Sequence, residues 1–206
     1  MEAHHSETRL LSSRYEDALV YAARLHAHQI RKGTGTPYLS HLLAVSALVI
    51  QDGGSEDEAI AALLHDAVED QGGTQTLDEI RRRFGDLVAA IVDGCTDTAD
   101  HPKPPWRARK ERYLAHLSLA TPEVRRVSLA DKLHNARSIL RDLRREGDAV
   151  WRRFKGGKEG TLWYYHSLLN IFRKGGSDYM TEELARVVAE IDDLVSSDNP
   201  SISDKK

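Results

Sequence analysis

The chain holds 206 residues, with 29 Lys and Arg against 32 Asp and Glu, a formal net charge of −3, and 40% hydrophobic and 30% charged residues. That length and balance accommodate one domain with extensions and a real core, and argue against a nucleic-acid surface because no uniform basic field is implied. A single cysteine, Cys95, excludes an internal disulfide framework and fits a reducing compartment. No apolar run approaches the roughly 18 to 20 residues of a membrane span. The start, with His4, His5, Glu7 and Arg9, does not read as a signal peptide, so the expected location is cytoplasmic.

Residues 1 to 12 show no periodic pattern and read as a flexible N-terminus. From about Ser13 to Ile30, Leu19, Ala22, Ala23, Leu25 and Ala27 give an apolar face that predicts a helix, with Ser13 as cap and Glu16 three residues on. The cluster Gly33-Thr34-Gly35-Thr36-Pro37 breaks it. A second helix is predicted over about Leu39 to Gln51, stopped by Asp52-Gly53-Gly54. Ser55 and Glu58 form a capping-box pair that opens a third. That helix is expected to carry Ala59 to Leu64 and then His65-Asp66-Ala67-Val68-Glu69-Asp70 before Gly72-Gly73 ends it.

Short helices follow from Thr76 to Phe84, with Gly85 as stop, and from Leu87 to about Asp93. Residues 97 to 105 read as a proline-rich connector without regular structure. Arg107 to Leu119 forms a charged helix, and Thr121-Pro122 opens one that runs to about Arg145. Ala149 to Phe154, Thr161 to Phe172 and Thr181 to Val195 predict three C-terminal helices, and the polar tail from Ser196 reads as disordered. With no strand pattern and no internal repeat, the expectation is an all-α, compact helical bundle. It forms one domain over 13–195, with a core at 13–145, a C-terminal helical extension at 146–195 and a tail at 196–206.

The chemistry gathers around the hexapeptide. At about 100° per residue, His65, Asp66, Glu69 and Asp70 fall within an arc of about 140° on a helix, opposite Ile60, Leu63, Leu64, Ala67 and Val68. This is either a seat for a divalent cation with acids left for proton work, or a solvated acidic face at a helix end. His41, beside the apolar face of the second helix, is either a satisfied core residue or a ligand. Asp131, in the apolar run Val127-Ser128-Leu129-Ala130-Asp131, needs a cation, a set of hydrogen bonds or a surface position. Arg31-Lys32 either compensates a helix end or meets an anion. Taken together, His41, His65, Asp66 and Asp131 make a mixed N/O donor set suited to manganese, iron or zinc, with positions left for water and substrate. Cys95, between Gly94 and Thr96, reads as a small core residue and not as a nucleophile.

In order, the segments Arg31-Lys32…Pro37-Tyr38-Leu39-Ser40-His41, Ala62-Leu63-Leu64-His65-Asp66-Ala67-Val68-Glu69-Asp70, Phe84-Gly85, Cys95-Thr96-Asp97 and Leu129-Ala130-Asp131-Lys132-Leu133-His134-Asn135 resemble the HD superfamily of metal-dependent phosphohydrolases. Within it, they are most similar to the RelA/SpoT hydrolase domain and the free-standing small alarmone hydrolases. The resemblance covers roughly residues 13 to 145 and implies a helical bundle of the HD-domain type. It implies that His41, His65, Asp66 and Asp131 ligate a metal, usually Mn²⁺, and that Glu69 and Asp70 position or activate the attacking water as a coupled pair. It implies that Arg31 and Lys32 contact the base and phosphates, and that Asn135 and Ser138 line the nucleoside pocket. The implied reaction removes the 3′-pyrophosphate of guanosine tetra- or pentaphosphate (ppGpp or pppGpp), with no synthetase domain, no nucleic-acid or membrane partner, and homo-oligomerisation left open.

Departures from the family pattern lie in three places. Eight residues separate Lys32 from His41, slightly more than in the long bifunctional enzymes, which would displace Arg31 and Lys32 relative to the base. Asp97 stands where those enzymes commonly carry lysine. The connector 101–106 and the aromatic stretch 151–172 have no counterpart; the aromatics read as packing, with Lys155 and Lys158 as alternative phosphate contacts. Two other functions compete: a phosphatase for another nucleotide such as pApp or NADPH, and a helical protein that senses a nucleotide without turnover.

Overall fold

The computed structural model describes residues 11–98, 102, 104–175 and 179–197. Among them ten α-helices follow one another: α1 (Ser13–Leu25), α2 (Leu39–Gln51), α3 (Glu56–Leu64), α4 (Ala67–Gln71), α5 (Thr74–Phe84), α6 (Asp86–Cys95), α7 (Trp106–Ser118), α8 (Pro122–Glu146), α9 (Gly157–Lys174) and α10 (Tyr179–Ser197), with a 3-10 segment at Gly147–Arg153. The described residues contain no strand beyond an isolated antiparallel bridge between Ile30 and Pro37. The expected all-α bundle is what forms. Of the predicted flexible start (1–12) residues 1–10, of the connector residues 99–101 and 103, and of the predicted tail (196–206) the residues from 198 lie outside the described residues; Ser12 instead caps α1, and Ser196 and Ser197 belong to α10.

Helix α3 is the axis of the bundle. Ala59, Ile60, Ala61, Ala62, Leu63 and Leu64 are all fully buried, as a helix apolar on every side requires. Helices α1, α2, α6 and α8 surround it. Its start is set by the predicted capping box: the Ser55 N–H donates to Glu58 Oε2 (2.7 Å) and the Glu58 N–H to Ser55 Oγ (3.3 Å). Glu58 is itself buried and accepts from Arg126 of α8, whose Nε also donates to Asp52 Oδ2 at 3.1 Å. One acid therefore caps α3 and ties it to α8. Helix α8 begins at Thr121-Pro122 as expected and buries Val124, Val127, Ala130, Leu133, Ala136 and Leu140, a spacing of three and four that keeps one face inward.

Three expectations change. Helix α1 is capped by Ser12 and ends at Leu25, five residues early. The chain then turns so that Arg31 N–H donates to Thr36 O (2.8 Å) and Tyr38 N–H to Gln29 O (2.9 Å). Arg31 and Lys32 therefore stand in a closed loop and not at a helix end. Residues 147–153 wind as a 3-10 segment. The hexapeptide does not lie on one helix: α3 stops at Leu64, His65 and Asp66 form a turn, and α4 starts at Ala67.

The aromatic stretch packs, as one of its two readings had it. Trp106, at the start of α7, lies against Gly156 and Gly160, where an added Cβ would come within 2.6 Å and 3.1 Å of the indole. Trp163 and Tyr164 meet the same ring edge-on at 6.2 Å and 6.4 Å, and the Arg107 guanidinium lies 3.2 Å over the centre of Trp163. Lys158 pairs with Asp148 at 2.8 Å. Replacing Gly156 with alanine crowds the indole and should cost about 1–3 kcal/mol. In urea denaturation most of that loss should vanish in a Trp106→Leu background, because the two sites share one contact.

Candidate active site

Three elements deliver the predicted ligands to one point. Helix α2 brings His41, the α3–α4 turn brings His65 and Asp66, and α8 brings Asp131. His41 and His65 are 0% and 2% exposed, and Asp131 is 5% exposed. His65 Nε2 lies 3.0 Å from Asp66 Oδ2 and 3.6 Å from Asp131 Oδ1; His41 Nε2 lies 3.2 Å from Asp131 Oδ1 and 3.7 Å from Asp66 Oδ2. The donor atoms of His41, His65 and Asp66 all fall within 4.8 Å of one another.

Both imidazole Nε2 atoms are buried and make no hydrogen bond. The other nitrogen of each ring is committed. His65 Nδ1 donates to the Ala62 carbonyl (2.8 Å), which leaves the lone pair of the neutral ring on Nε2, facing the carboxylates. His41 Nδ1 pairs with His134 Nδ1 at 2.7 Å. The His65 lone pair aimed at the Asp66 carboxylate repels it unless a positive charge sits between them, and with His41 and Asp131 beside it the donor set fits a divalent metal.

The protonation behaviour points the same way. Burial works to lower the His65 pKa, yet Asp66 and Asp131 outweigh it and hold it well above the ordinary value. Burial would raise Asp66, and the neighbouring His65 reverses that to a lowered pKa. His41 is lowered, chiefly by burial. A proton on His65 and a divalent cation are thus alternative counter-charges for the same carboxylates.

Surrounding groups orient these four. Tyr38 OH donates to Asp66 Oδ2 at 2.5 Å, Lys132 Nζ donates to Asp131 Oδ2 and Asn135 Nδ2 to Asp131 Oδ1, each at 2.5 Å. The His65 side chain also accounts for the helix break, since it takes the Ala62 carbonyl that a continuing α-helix would give to the Asp66 N–H. Tyr38, Lys132 and His134 stand inside the recognised segments but carried no expected role; only their adjacency to ligands could have flagged them.

The remaining predicted residues divide. Arg31 is brought in: its NH2 donates to Asn135 Oδ1 (3.0 Å) and Ser138 Oγ (3.4 Å), so these three form one edge beside Asp131. The closed loop of residues 31–36 keeps Arg31 there despite the longer segment. Lys32 is exposed and makes no hydrogen bond or ion pair among the described residues. Glu69 and Asp70 point apart. Glu69 Oε1 lies 3.6 Å from Arg109 NH1 of α7, and Asp70 Oδ2 accepts from Gln29 Nε2 at 2.8 Å. Nothing in the sequence pattern marked Gln29 or Arg109.

An all-helical bundle in which a histidine, a His-Asp turn and a later aspartate converge on a cation site defines an HD-type domain. The chain belongs to the HD domain family, the match running over residues 18–162, and hydrolases of that family are metal-dependent. It is 40% identical over 138 residues to the guanosine-3′,5′-bis(diphosphate) 3′-pyrophosphohydrolase MESH1 of Xenopus tropicalis, covering 66% of this chain and 72% of that one. Against the Homo sapiens protein of the same name it is 39% identical over 128 residues, covering 61% and 69%. A solved metazoan ortholog of SpoT, described as hydrolysing ppGpp and acting in starvation responses, superposes with a TM-score of 0.72 at 25% identity, over 87% of this chain and 96% of that one.

Cys95 closes α6, half-buried, with its Sγ 3.6 Å from Ser128 Oγ. Burial pushes its thiol up to about 11, which leaves only about one part in a thousand as thiolate at pH 8. Disulfide-reagent labelling at that pH should be about tenfold or more slower in the native protein than in guanidinium, because the lost thiolate fraction outweighs the greater nucleophilicity of a thiolate of raised pKa.

Proposed function

We propose that the protein is a Mn²⁺-dependent hydrolase of guanosine tetra- and pentaphosphate, releasing the 3′-pyrophosphate and leaving GDP or GTP. The observation that carries this reading is the pair of buried imidazole Nε2 atoms without hydrogen bonds, facing the carboxylates of Asp66 on the α3–α4 turn and Asp131 on α8. The activity in the names of the MESH1 relatives supports the substrate. Residues 13–195 act as one hydrolase domain in this reading. No helix among the described residues is long and apolar enough to cross a membrane, and the reading places the enzyme in the cytoplasm.

His41, His65, Asp66 and Asp131 would hold the cation. When bound, it supplies Lewis acidity toward a phosphoryl oxygen and makes water in the site more acidic. Between them, Glu69 and Asp70, within one helical turn of Asp66, take the proton that the attacking water gives up and return one to the leaving ribose oxygen. Arg31 presents a planar guanidinium at the Asn135–Ser138 edge, suited to a phosphate or to stacking on a base. Lys32 adds a point charge at the exposed side of the same loop. Tyr38 on Asp66, Lys132 on Asp131 and His134 on His41 keep the ligands from turning when substrate arrives.

Incubation with Mn²⁺ and a panel of ppGpp, pppGpp, pApp and NADPH, followed by ion-exchange chromatography, tests the substrate. Pyrophosphate should come from the guanosine nucleotides alone; orthophosphate from NADPH, or binding without turnover, overturns the proposal. Chelation should abolish turnover and added Mn²⁺ restore it. Asp66→Ala and Asp131→Ala should each lose both bound metal and turnover. Glu69→Ala should keep the metal, measured by elemental analysis, while kcat falls by about 10² to 10⁴, the range of a lost general acid or base.

A further inference from the structure

Charges of alternating sign link α4 to the C-terminal layer. Arg109 NH1 lies 3.6 Å from Glu69 Oε1 and also donates to Asp97 Oδ2. Lys110 Nζ donates to that same oxygen at 2.8 Å. The row Glu69, Arg109, Asp97, Lys110 sums to no net charge, and its two inner members are only 10% and 8% exposed at the side chain. Charges this buried persist when each faces its opposite. The far end is fixed to α9, with Lys110 Nζ 4.9 Å over the Tyr164 ring.

This row stands where positioning is most needed. Glu69 belongs to a five-residue helix, too short to hold its shape without outside contacts. Arg109 leaves its Nε buried without a hydrogen bond, as Asp97 leaves Oδ1. The guanidinium is therefore placed by the carboxylates on either side of NH1 and not by full use of its own donors.

We propose that Arg109 is a positioning residue for Glu69, with Asp97 fixing the guanidinium and the α7–α9 aromatic packing fixing Asp97's partners. This assigns a task to the departure at Asp97 and to the C-terminal stretch, and it rests on the reading of Glu69 as a water-activating acid. Arg109 does not act on substrate; it acts through the Glu69 carboxylate.

The test is a mutant cycle with Mn²⁺ and ppGpp: Arg109→Lys, Arg109→Gln and Asp97→Asn, each alone and combined with Glu69→Gln. Arg109→Gln and Asp97→Asn should each lower kcat by about tenfold to hundredfold, the scale of a small misplacement, with KM and Mn²⁺ affinity within about twofold. Arg109→Lys, which keeps the charge, should recover part of the loss. In the Glu69→Gln background the same changes should cost little more, because the group they serve is gone. Equal losses in both backgrounds, or a matching loss of Mn²⁺ affinity, would make Arg109 a general structural residue and overturn the proposal. Full kcat in Arg109→Gln beside a crippled Glu69→Gln overturns the positioning alone, whereas full kcat in Glu69→Gln overturns the reading of Glu69. Asp97→Asn is isosteric and carries the test should Arg109→Gln fail to fold.

Discussion

Two carboxylates and two imidazoles from three separate elements share a buried space a few ångströms across, and that crowding governs the rest of the molecule. The His65 ring cannot swing away, because its Nδ1 is spent on the Ala62 carbonyl. The His41 ring is held by His134. The carboxylates are held by Tyr38, Lys132 and Asn135. A site whose polar atoms are fixed from behind and unsatisfied in front keeps its geometry ready for a cation instead of collapsing around its own charges.

Such a cluster requires that α2, α3 and α8 not slide against one another, and the packing supplies that. Helix α3 is apolar on every side at Ala59–Leu64, so a slip would uncover methyl groups wherever it went. The Glu58–Arg126–Asp52 clamp then sets the relation of α3 to α8 at the end away from His65. The same glutamate caps α3, which makes local helix formation and inter-helix registry depend on a single side chain.

Most of this was legible residue by residue. Helix α2 and the start of α8 stand where Asp52-Gly53-Gly54 and Thr121-Pro122 put them, and the four ligand candidates were recognisable from their ordered segments. The α3–α4 turn was not, because its cause is a side chain bonding back to the chain, with no glycine or proline to announce it. The early end of α1 was hidden too: Ala27 and Ile30 continue the apolar pattern, but the bridge from Ile30 to Pro37 pulls them out of the helix. Gln29 and Arg109 escaped because polar residues that serve another residue leave no periodic mark.

Glu69 and Asp70 are consecutive on α4, about 100° apart around its axis, and among the described residues they meet different partners. Asp70 meets Gln29, whose Oε1 already accepts from His26 Nδ1 (2.7 Å) and Gln71 Nε2 (2.6 Å), so the amide is oriented with its NH2 toward the acid. Gln29 stands two residues before Arg31, which ties Asp70 to the loop that forms the Asn135–Ser138 edge. Glu69 instead meets α7. One acid is therefore coupled to the loop nearest the candidate substrate edge, and the other to the rigid C-terminal layer.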